Sequence, residues 1–310
     1  MGPTGAGKSA LALALAARLP VEIVSVDSAQ VYRGLDIGTA KPNPAVRRRV
    51  AHHLVDICAP DTAYSAAQFR LDAHDAIAAI RARGRVPLLV GGTGLYFRAL
   101  EQGLSVLPAA DPQVRAALQA ELADGGAPAL HARLAMIDPR AAARIHPHDQ
   151  QRLMRALEVF AVSGVSQSEL WQRAPLTPHV GQVVKLVIAP TDRALLQHRL
   201  ARRFDLMIER GLINEVRALR DSGALNAESS AMRTVGYREV WRYLAGEHSR
   251  AEMLAKAIVA TRQLAKRQLT WLRRESACLW LDCADPALLD HAMRTIREQV
   301  IFKRDGSDLE

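Results

Sequence analysis

A glycine-rich pattern at the start of the chain carries the clearest chemical signal. It reads G-x-x-x-x-G-K-S over Gly2-Pro3-Thr4-Gly5-Ala6-Gly7-Lys8-Ser9. Gly2, Gly5 and Gly7 can adopt positive φ, so successive backbone N–H groups can curl towards one anion. Lys8 adds a full positive charge, and the Ser9 hydroxyl suits Mg²⁺. The pattern predicts a phosphate-binding loop with a magnesium ion held at Ser9.

The alternative is a glycine-rich turn that matches this pattern by chance. We favour phosphate binding because the pattern is complete and leads directly into residues 10–19, which are almost all strong helix formers. The helix adds the positive end of its dipole to the loop. A phosphate-binding loop normally follows a β-strand, and the sequence begins too close to the loop to supply one. We therefore expect a sheet that lacks its first strand.

A carboxylate and a second glycine-rich turn follow two predicted strands. Asp27 comes directly after the β-rich run 21–26, and residues 91–94 (Gly-Gly-Thr-Gly) follow the buried run 86–90. Ligands bind at the carboxyl ends of parallel strands, so Asp27 is expected near the phosphate loop. Glycines at a strand end occur where the backbone approaches a ligand or another segment closely. These features predict one site at a single sheet edge.

The order of the predicted elements indicates an α/β fold, with a parallel sheet like that of P-loop NTPases flanked by helices. Further strands are expected at 183–188 and 278–281, and helices at 65–83, 192–210, 212–222, 236–245, 250–274 and 286–299. Residues 112–170 are alanine-rich, helical in period and interrupted by proline and glycine, which predicts an all-helical insertion. We divide the chain into a first core part (1–111), an insertion (112–178) and a second core part (179–310) with basic helices.

Composition narrows the class of protein. The chain has 49% hydrophobic and 24% charged residues, which is ordinary for a soluble globular protein. It has no apolar run near 18 residues, so we expect no membrane span. Its few cysteines indicate the cytoplasm, and we expect a monomer. Three cysteines cannot build a disulfide framework, and adjacent His52 and His53 would point to opposite sides of a strand, which argues against a shared metal. The formal charge of +9 favours a polyanionic partner.

Seven motifs, found in order from residue 1 to about residue 275, carry a resemblance to one family. They are GPTGAGKS at 2–9, DSAQVY at 27–32, DIGTAKP at 36–42, GGTGLY at 91–96, RLMRALE at 152–158, VGYR at 235–238 and TRQLAKRQ at 261–268. Together they resemble the tRNA dimethylallyltransferases. Two departures, HDQ at 148–150 and Gly5-Ala6, replace commoner family residues but remove no charged group from the chemistry.

The resemblance implies transfer of a dimethylallyl group from dimethylallyl diphosphate to N6 of adenosine 37, in tRNAs that read codons beginning with U. Diphosphate leaves, held by residues 2–9 and Mg²⁺. The implied catalytic groups are Asp27, which orients and deprotonates the amine, and Thr4 and Arg203, which act on the diphosphate.

The resemblance also implies contacts with the tRNA anticodon stem-loop. These would come from Asp27, Ser28, Ala29, Gln30, Thr93, Arg115, Gln151, Arg152, Leu153, Met154, Arg155, Arg233, Thr234, Val235, Gly236, Tyr237, Arg238, Lys266, Arg267, Gln268, Leu269, Thr270, Trp271, Leu272 and Arg273. To expose N6 the base must leave its stack, at a cost of about a few kcal/mol.

Several assignments have plain structural alternatives. Arg199 and Arg202 compete with Arg203 for the diphosphate. Asp27 could instead cap a turn at the strand end or reach magnesium through water. The stretch 262–274 has five positive groups and no negative one, and as an ordinary helix it would bury its leucines and solvate its cations.

Three other functions compete with tRNA prenylation. An adenylate isopentenyltransferase would share the phosphate loop and the aspartate, but its small substrate needs neither the helical insertion nor the basic stretch. A small-molecule kinase using ATP would need a second metal motif and an arginine lid, and neither is clear in the sequence. A non-catalytic RNA-binding module could keep the loop as a relic.

Overall fold

A computed structural model describes residues 1–105, 107–173 and 183–299, and divides the chain into two units. The first unit combines Met1–Glu101 with Val180–Glu310, and the second is Gln102–His179. The strands, all in the first unit, are β1 (Val21–Val26), β2 (His52–His53), β3 (Val86–Gly91), β4 (Lys185–Ala189) and β5 (Cys278–Asp282).

Helices are present in both units. The first unit contains α1 (Lys8–Ala16), α2 (Pro44–Arg49), α3 (Ala66–Ala82), α4 (Gly94–Glu101), α9 (Arg193–Glu209), α10 (Leu212–Asp221), a 3₁₀ turn (Ser230–Arg233), α11 (Tyr237–Leu244), α12 (Arg250–Leu272) and α13 (Leu288–Gln299). The second contains α5 (Pro112–Ile137), α6 (Pro139–Ala142), α7 (Gln150–Ser163) and α8 (Gln167–Arg173). No helix in the described ranges is long and apolar enough to cross a bilayer.

The strands are parallel and confirm the α/β class. One sheet has the order β2-β1-β3 and the other pairs β4 with β5. Strand β1 is buried along its whole length, and its last residue, Val26, lies opposite Gly91 of β3. Asp27 and the second glycine-rich turn therefore leave the sheet side by side, as the sequence predicted.

An open cleft separates the two sheets. Its volume is about 570 Å³, and residues of both β3 and β4 line it. At its border the Ile188 N–H donates to the Met1 carbonyl at 2.9 Å, and the Met1 amino group donates to the Leu186 carbonyl at 2.6 Å. These bonds align Met1 with β4.

The described residues of the second unit form helices and connecting turns around their own core. That core includes Leu130, Leu134, Leu153 and Leu157. Helix α5 breaks at Gly126, whose φ of 72° is not helical, as the paired glycines predicted. The expected end of the insertion at 174–178 lies outside the described residues.

Strand β2 was not among the predicted strands, although its two histidines were placed on a strand in arguing against a shared metal; helix α4 was not predicted. It has two residues, His52 and His53, which pair with Ile23 and Val24 of β1. Each histidine has a local partner: His53 Nε2 lies 2.7 Å from a Glu22 carboxylate oxygen, and His52 Nδ1 lies 2.7 Å from a backbone carbonyl. A two-residue strand of polar side chains has no alternating hydrophobic pattern by which to recognise it.

Candidate functional site

The phosphate loop owes its shape to three glycines, for two different reasons. Gly5 and Gly7 have φ of 81° and 82°, the left-handed region that favours glycine. Gly2 does not share that conformation, which corrects the sequence-based explanation. A Cβ on Gly2 would lie 2.3 Å from the Ile188 carbonyl oxygen, so close packing against β4 requires glycine there.

Two cations face the same space behind this loop. Burial lowers the pKa of Lys8 from 10.5 to about 8; the Asp27 carboxylate opposes this fall and the Arg203 guanidinium adds to it. Burial also lowers the pKa of Arg203, again opposed by Asp27. One carboxylate thus stands against two partly desolvated cations, and the site favours an added anion.

Helix α9 selects one arginine from the three candidates. Arg203 lines the same cavity as Lys8 and Asp27. Arg199 donates instead to the Cys283 sulfur at 2.9 Å, and Arg202 is exposed. The geometry therefore favours Arg203 as the arginine that meets a bound anion.

The Asp27 side chain is fixed by hydrogen bonds at the start of the turn that follows β1. Its Oδ1 accepts the Ala29 N–H at 2.9 Å and the Gln30 N–H at 3.3 Å. The turn-capping alternative is therefore correct for this oxygen, and it orients the carboxyl group of Asp27. The cavity beside it is about 360 Å³ and is also lined by Thr4, Lys8 and Ser9. The carboxylate, the cations and the loop hydroxyls thus face one space.

The rest of this cavity has an apolar wall. Leu200, Phe204 and Met207 of α9 line it together with Val235 and Leu264. Leu200 and Met207 are one helical turn on either side of Arg203, so one face of α9 presents both the charge and the apolar surface. A ligand with an anionic head and a short hydrocarbon chain fits such a lining.

The second glycine-rich turn packs closely against other segments, as predicted. A Cβ on Gly91 would lie 1.9 Å from the Val26 carbonyl oxygen, and one on Gly94 would lie 2.5 Å from the Trp271 ring. The Thr93 hydroxyl accepts the Ser28 N–H at 3.1 Å. This turn therefore fixes the chain directly after Asp27.

Helix α12 and the two residues that follow it carry the basic stretch, in which the charged side chains are separated from the apolar ones. The five cations, Arg262, Lys266, Arg267, Arg273 and Arg274, are all exposed. Leu272 is fully buried, and Leu269 packs against Leu196, Leu200 and Ala265. The leucines thus pack as in the plain-helix alternative, while the exposed cations form a positive surface.

Some residues predicted to contact RNA lie in the protein interior instead. Tyr237, Leu153 and Leu272 are fully buried, so their side chains cannot reach a nucleic acid. Trp271 stacks on Phe97 with ring centroids 5.9 Å apart, and Gly94 packs against its ring. These side chains pack the protein interior, so at the three buried positions a contact with RNA would have to come from the backbone.

Tyr237 has a different task, which the sequence analysis did not identify. Its hydroxyl donates to the Glu215 carboxylate at 2.5 Å and accepts the Gly38 N–H at 3.2 Å. The same carboxylate accepts the Ile37 N–H at 2.8 Å and the Asp36 N–H at 3.2 Å. The pair thus holds the loop that continues into Thr39–Pro42, along one wall of the cavity.

In the second unit, two arginines predicted to contact RNA share one buried carboxylate. Glu158 is 1% exposed and accepts from Arg155 at 2.7 Å and from Arg115 at 3.1 Å. Arg152 differs, because its side chain is 74% exposed. Among these three arginines, Arg152 is the most available to a polyanion.

A sequence model described as IPP transferase matches residues 30–275. The chain belongs to the IPP transferase family. Its Asp27 lies just ahead of the matched range, and Arg203 lies within it. The family inferred from the seven motifs is thereby confirmed.

Relatives of this IPP transferase match it over most of its length. The tRNA dimethylallyltransferase of Halorhodospira halophila is 56% identical over 277 residues, covering 89% of each chain. The protein of the same name from Alkalilimnicola ehrlichii is 58% identical over 282 residues, covering 91% of this chain and 89% of its own.

Solved structures agree on the fold. The tRNA isopentenylpyrophosphate transferase of Bacillus halodurans superposes with a TM-score of 0.68 at 37% identity, covering 96% of this chain and 95% of its own. A eukaryotic dimethylallyltransferase acting on tRNA gives a TM-score of 0.79 at 25% identity, covering 98% of this chain and 80% of its own.

Proposed function

We propose that this IPP transferase moves a dimethylallyl group from dimethylallyl diphosphate to N6 of adenosine 37 in tRNAs that read codons beginning with U. The products are the prenylated adenosine and diphosphate. The cavity shared by Lys8, Arg203 and Asp27 is the main support, since two partly desolvated cations face one carboxylate there. We expect the protein to act as a monomer in the cytoplasm.

The diphosphate occupies the cationic end of this cavity. Backbone N–H groups of the loop, the Lys8 ammonium and the Arg203 guanidinium stabilise the negative charge that grows as the allylic C–O bond breaks. Such groups are effective because they are already oriented and partly removed from water. The five-carbon chain lies against the apolar wall formed by Leu200, Phe204 and Met207.

Asp27 acts on the nucleophile. The N6 amine forms a bond to C1 of the dimethylallyl group as the bond from C1 to the diphosphate oxygen breaks. The proton lost from N6 passes to the Asp27 carboxylate, whose orientation is set by the Ala29 and Gln30 N–H groups. A positioned general base of this kind typically contributes about 10²- to 10⁴-fold to the rate.

Magnesium fits the same place. Ser9 and Asp27 line the cavity and offer the oxygen ligands that Mg²⁺ prefers, and Mg²⁺ commonly takes one or two protein oxygens with the rest from water and phosphate. The Ser9 hydroxyl would hold the ion, in the cavity that Asp27 also lines. Bound there, the ion would neutralise charge on the leaving diphosphate.

The RNA partner is the anticodon stem-loop. Exposed cations on α12 and the exposed Arg152 on α7 supply phosphate contacts, and splayed bases carry the sequence information in RNA of this kind. A substrate limited to a free nucleotide would need neither positive surface, which favours tRNA over AMP as the acceptor.

Transfer of a radiolabelled dimethylallyl group tests the proposal, with an anticodon stem-loop and AMP as alternative acceptors. We expect product only from the stem-loop. Asp27→Asn should lower kcat at least 100-fold while stem-loop binding stays unchanged. Asp75→Asn, an exposed aspartate on α3, is the matched control. Product from AMP alone would reverse the choice of acceptor, and full turnover by Asp27→Asn would remove Asp27 from the mechanism.

A further inference from the structure

Gln268 of α12 joins two separate loops of the site. Its Oε1 accepts the Thr4 N–H at 2.8 Å, and its Nε2 donates to the Gly92 carbonyl at 3.1 Å. A primary amide of this length meets both demands, since its oxygen accepts and its nitrogen donates. The sequence interpretation grouped Gln268 with the RNA contacts, but both ends of its amide bond to the protein backbone.

Each partner of Gln268 leads to one half of the proposed chemistry. Thr4 belongs to the phosphate loop, which carries Lys8. Gly92 precedes Thr93, whose hydroxyl holds the Ser28 N–H directly after Asp27. One side chain therefore links the loop of the leaving group to the turn of the general base.

The packing around Gln268 is suited to a fixed link. A Cβ on Gly92 would lie 2.4 Å from Nε2 of Gln268, so the glycine allows this close approach. Next along α12, Leu269 packs with Ala265 against Leu196 and Leu200 of α9. Helix α9 also carries Arg203. The packing of α9 on α12 therefore fixes Arg203 relative to Gln268, which is bonded to the loop that carries Lys8.

We propose that Gln268 is a positioning residue, which holds the phosphate loop in register with the Asp27 turn. This inference rests on the prenyl transfer proposed above. Attack of N6 on C1 requires the reacting atoms to approach within about 3–3.5 Å, and a displacement of about 1 Å can cost about 100-fold in rate. A loosened link between the two loops would permit such a displacement.

Two substitutions separate positioning from RNA contact. Gln268→Met keeps the length and helix propensity but loses both hydrogen bonds. Gln268→Lys keeps a donor, loses the acceptor for the Thr4 N–H and adds a positive charge. Gln263→Met and Gln263→Lys are matched controls, because Gln263 is an exposed glutamine on the same helix.

Three quantities are measured for each variant: kcat at saturating substrates, the Kd of an anticodon stem-loop, and the Kd of inorganic diphosphate. We expect both Gln268 variants to lose about 10- to 100-fold in kcat and to bind diphosphate about three- to tenfold more weakly. Stem-loop affinity should not fall in either variant, and both Gln263 variants should keep the wild-type kcat and diphosphate affinity.

Other results would overturn the inference. If Gln268 contacts RNA, Gln268→Met weakens stem-loop binding at unchanged kcat, and Gln268→Lys raises turnover at low RNA concentration. Wild-type values for both variants would show that the link has no role. If wild-type protein transfers no prenyl group, the proposed function fails, but diphosphate affinity still decides whether Gln268 positions the loop. Circular dichroism confirms folding, and the lysine variant serves if the methionine variant does not fold.

Discussion

Replacing Lys8 by methionine should stabilise the empty protein while removing its affinity for diphosphate. Burial lowers the pKa of Lys8 from 10.5 to about 8, and a pKa difference of one corresponds to about 1.4 kcal/mol. The protonated lysine therefore destabilises the folded state by at most about 3 kcal/mol at neutral pH. Lys8 Nζ also donates to the Pro3 carbonyl at 2.8 Å. The variant loses this hydrogen bond, which lowers its stability by about 1 kcal/mol. The net expectation is a gain of about 2 kcal/mol.

The pH dependence has a defined sign. A lysine with a lowered pKa in the folded state binds fewer protons there than in the unfolded chain at pH values between about 8 and 10.5. The free energy of unfolding of the wild type should therefore rise with pH across this window, relative to Lys8→Met. Between about pH 7 and about pH 9 the difference between the two proteins should shrink by about 1 kcal/mol.

Urea unfolding at both pH values, with and without excess sodium diphosphate, measures these effects. Lys256→Met is the control, because Lys256 is exposed on α12, and it should not show the stability gain. Diphosphate should stabilise the wild type and the control but not Lys8→Met. A Lys8→Met protein less stable than wild type, or a stability difference that does not change with pH, would refute the electrostatic reasoning.

Two further substitutions test the second glycine turn and the basic helix. Gly91→Ala places a Cβ 1.9 Å from the Val26 carbonyl oxygen, and because backbone must move, we expect a loss of about 3 kcal/mol in thermal unfolding; wild-type stability would contradict the close packing. Arg267→Gln should weaken stem-loop binding and make the log–log salt slope less steep by roughly 0.7–0.9 if Arg267 meets one phosphate. An unchanged slope in a titration of salt would exclude that contact.

Local patterns were sufficient to predict most of the fold. Strand β1 occupies the predicted residues 21–26, and α3 at Ala66–Ala82 lies one residue inside each predicted end. These segments have uninterrupted β-rich or helix-forming character, so propensity and burial agree. The position of Asp27 followed for the same reason, since parallel strands bring their carboxyl ends to one edge.

Contacts between distant residues could not be predicted in this way. The Thr4 N–H bonds to a side chain 264 positions away, and the Gly38 N–H bonds to the Tyr237 hydroxyl 199 positions away. No local periodicity encodes such pairs. The role of Arg203 could have been predicted from the sequence. Arg203 lies one helical turn from Leu200 and from Met207, so the spacing of these apolar residues places all three on the same face of α9.

Two buried charge clusters of the first unit differ in a way that shows why one is a candidate site and the other is structural. Glu22 accepts from Arg83 at 2.7 and 3.1 Å and lies 2.7 Å from His53. Chiefly through its hydrogen bonds to Arg83, its pKa falls to about 2, so the charged form is satisfied and nothing further is attracted. At Lys8 and Arg203 burial lowers the pKa of both cations, which means that the charged forms are under-compensated. A bound polyanion would stabilise the charged forms of Lys8 and Arg203. The cluster around these two cations therefore favours a phosphate ligand, and the cluster around Glu22 does not.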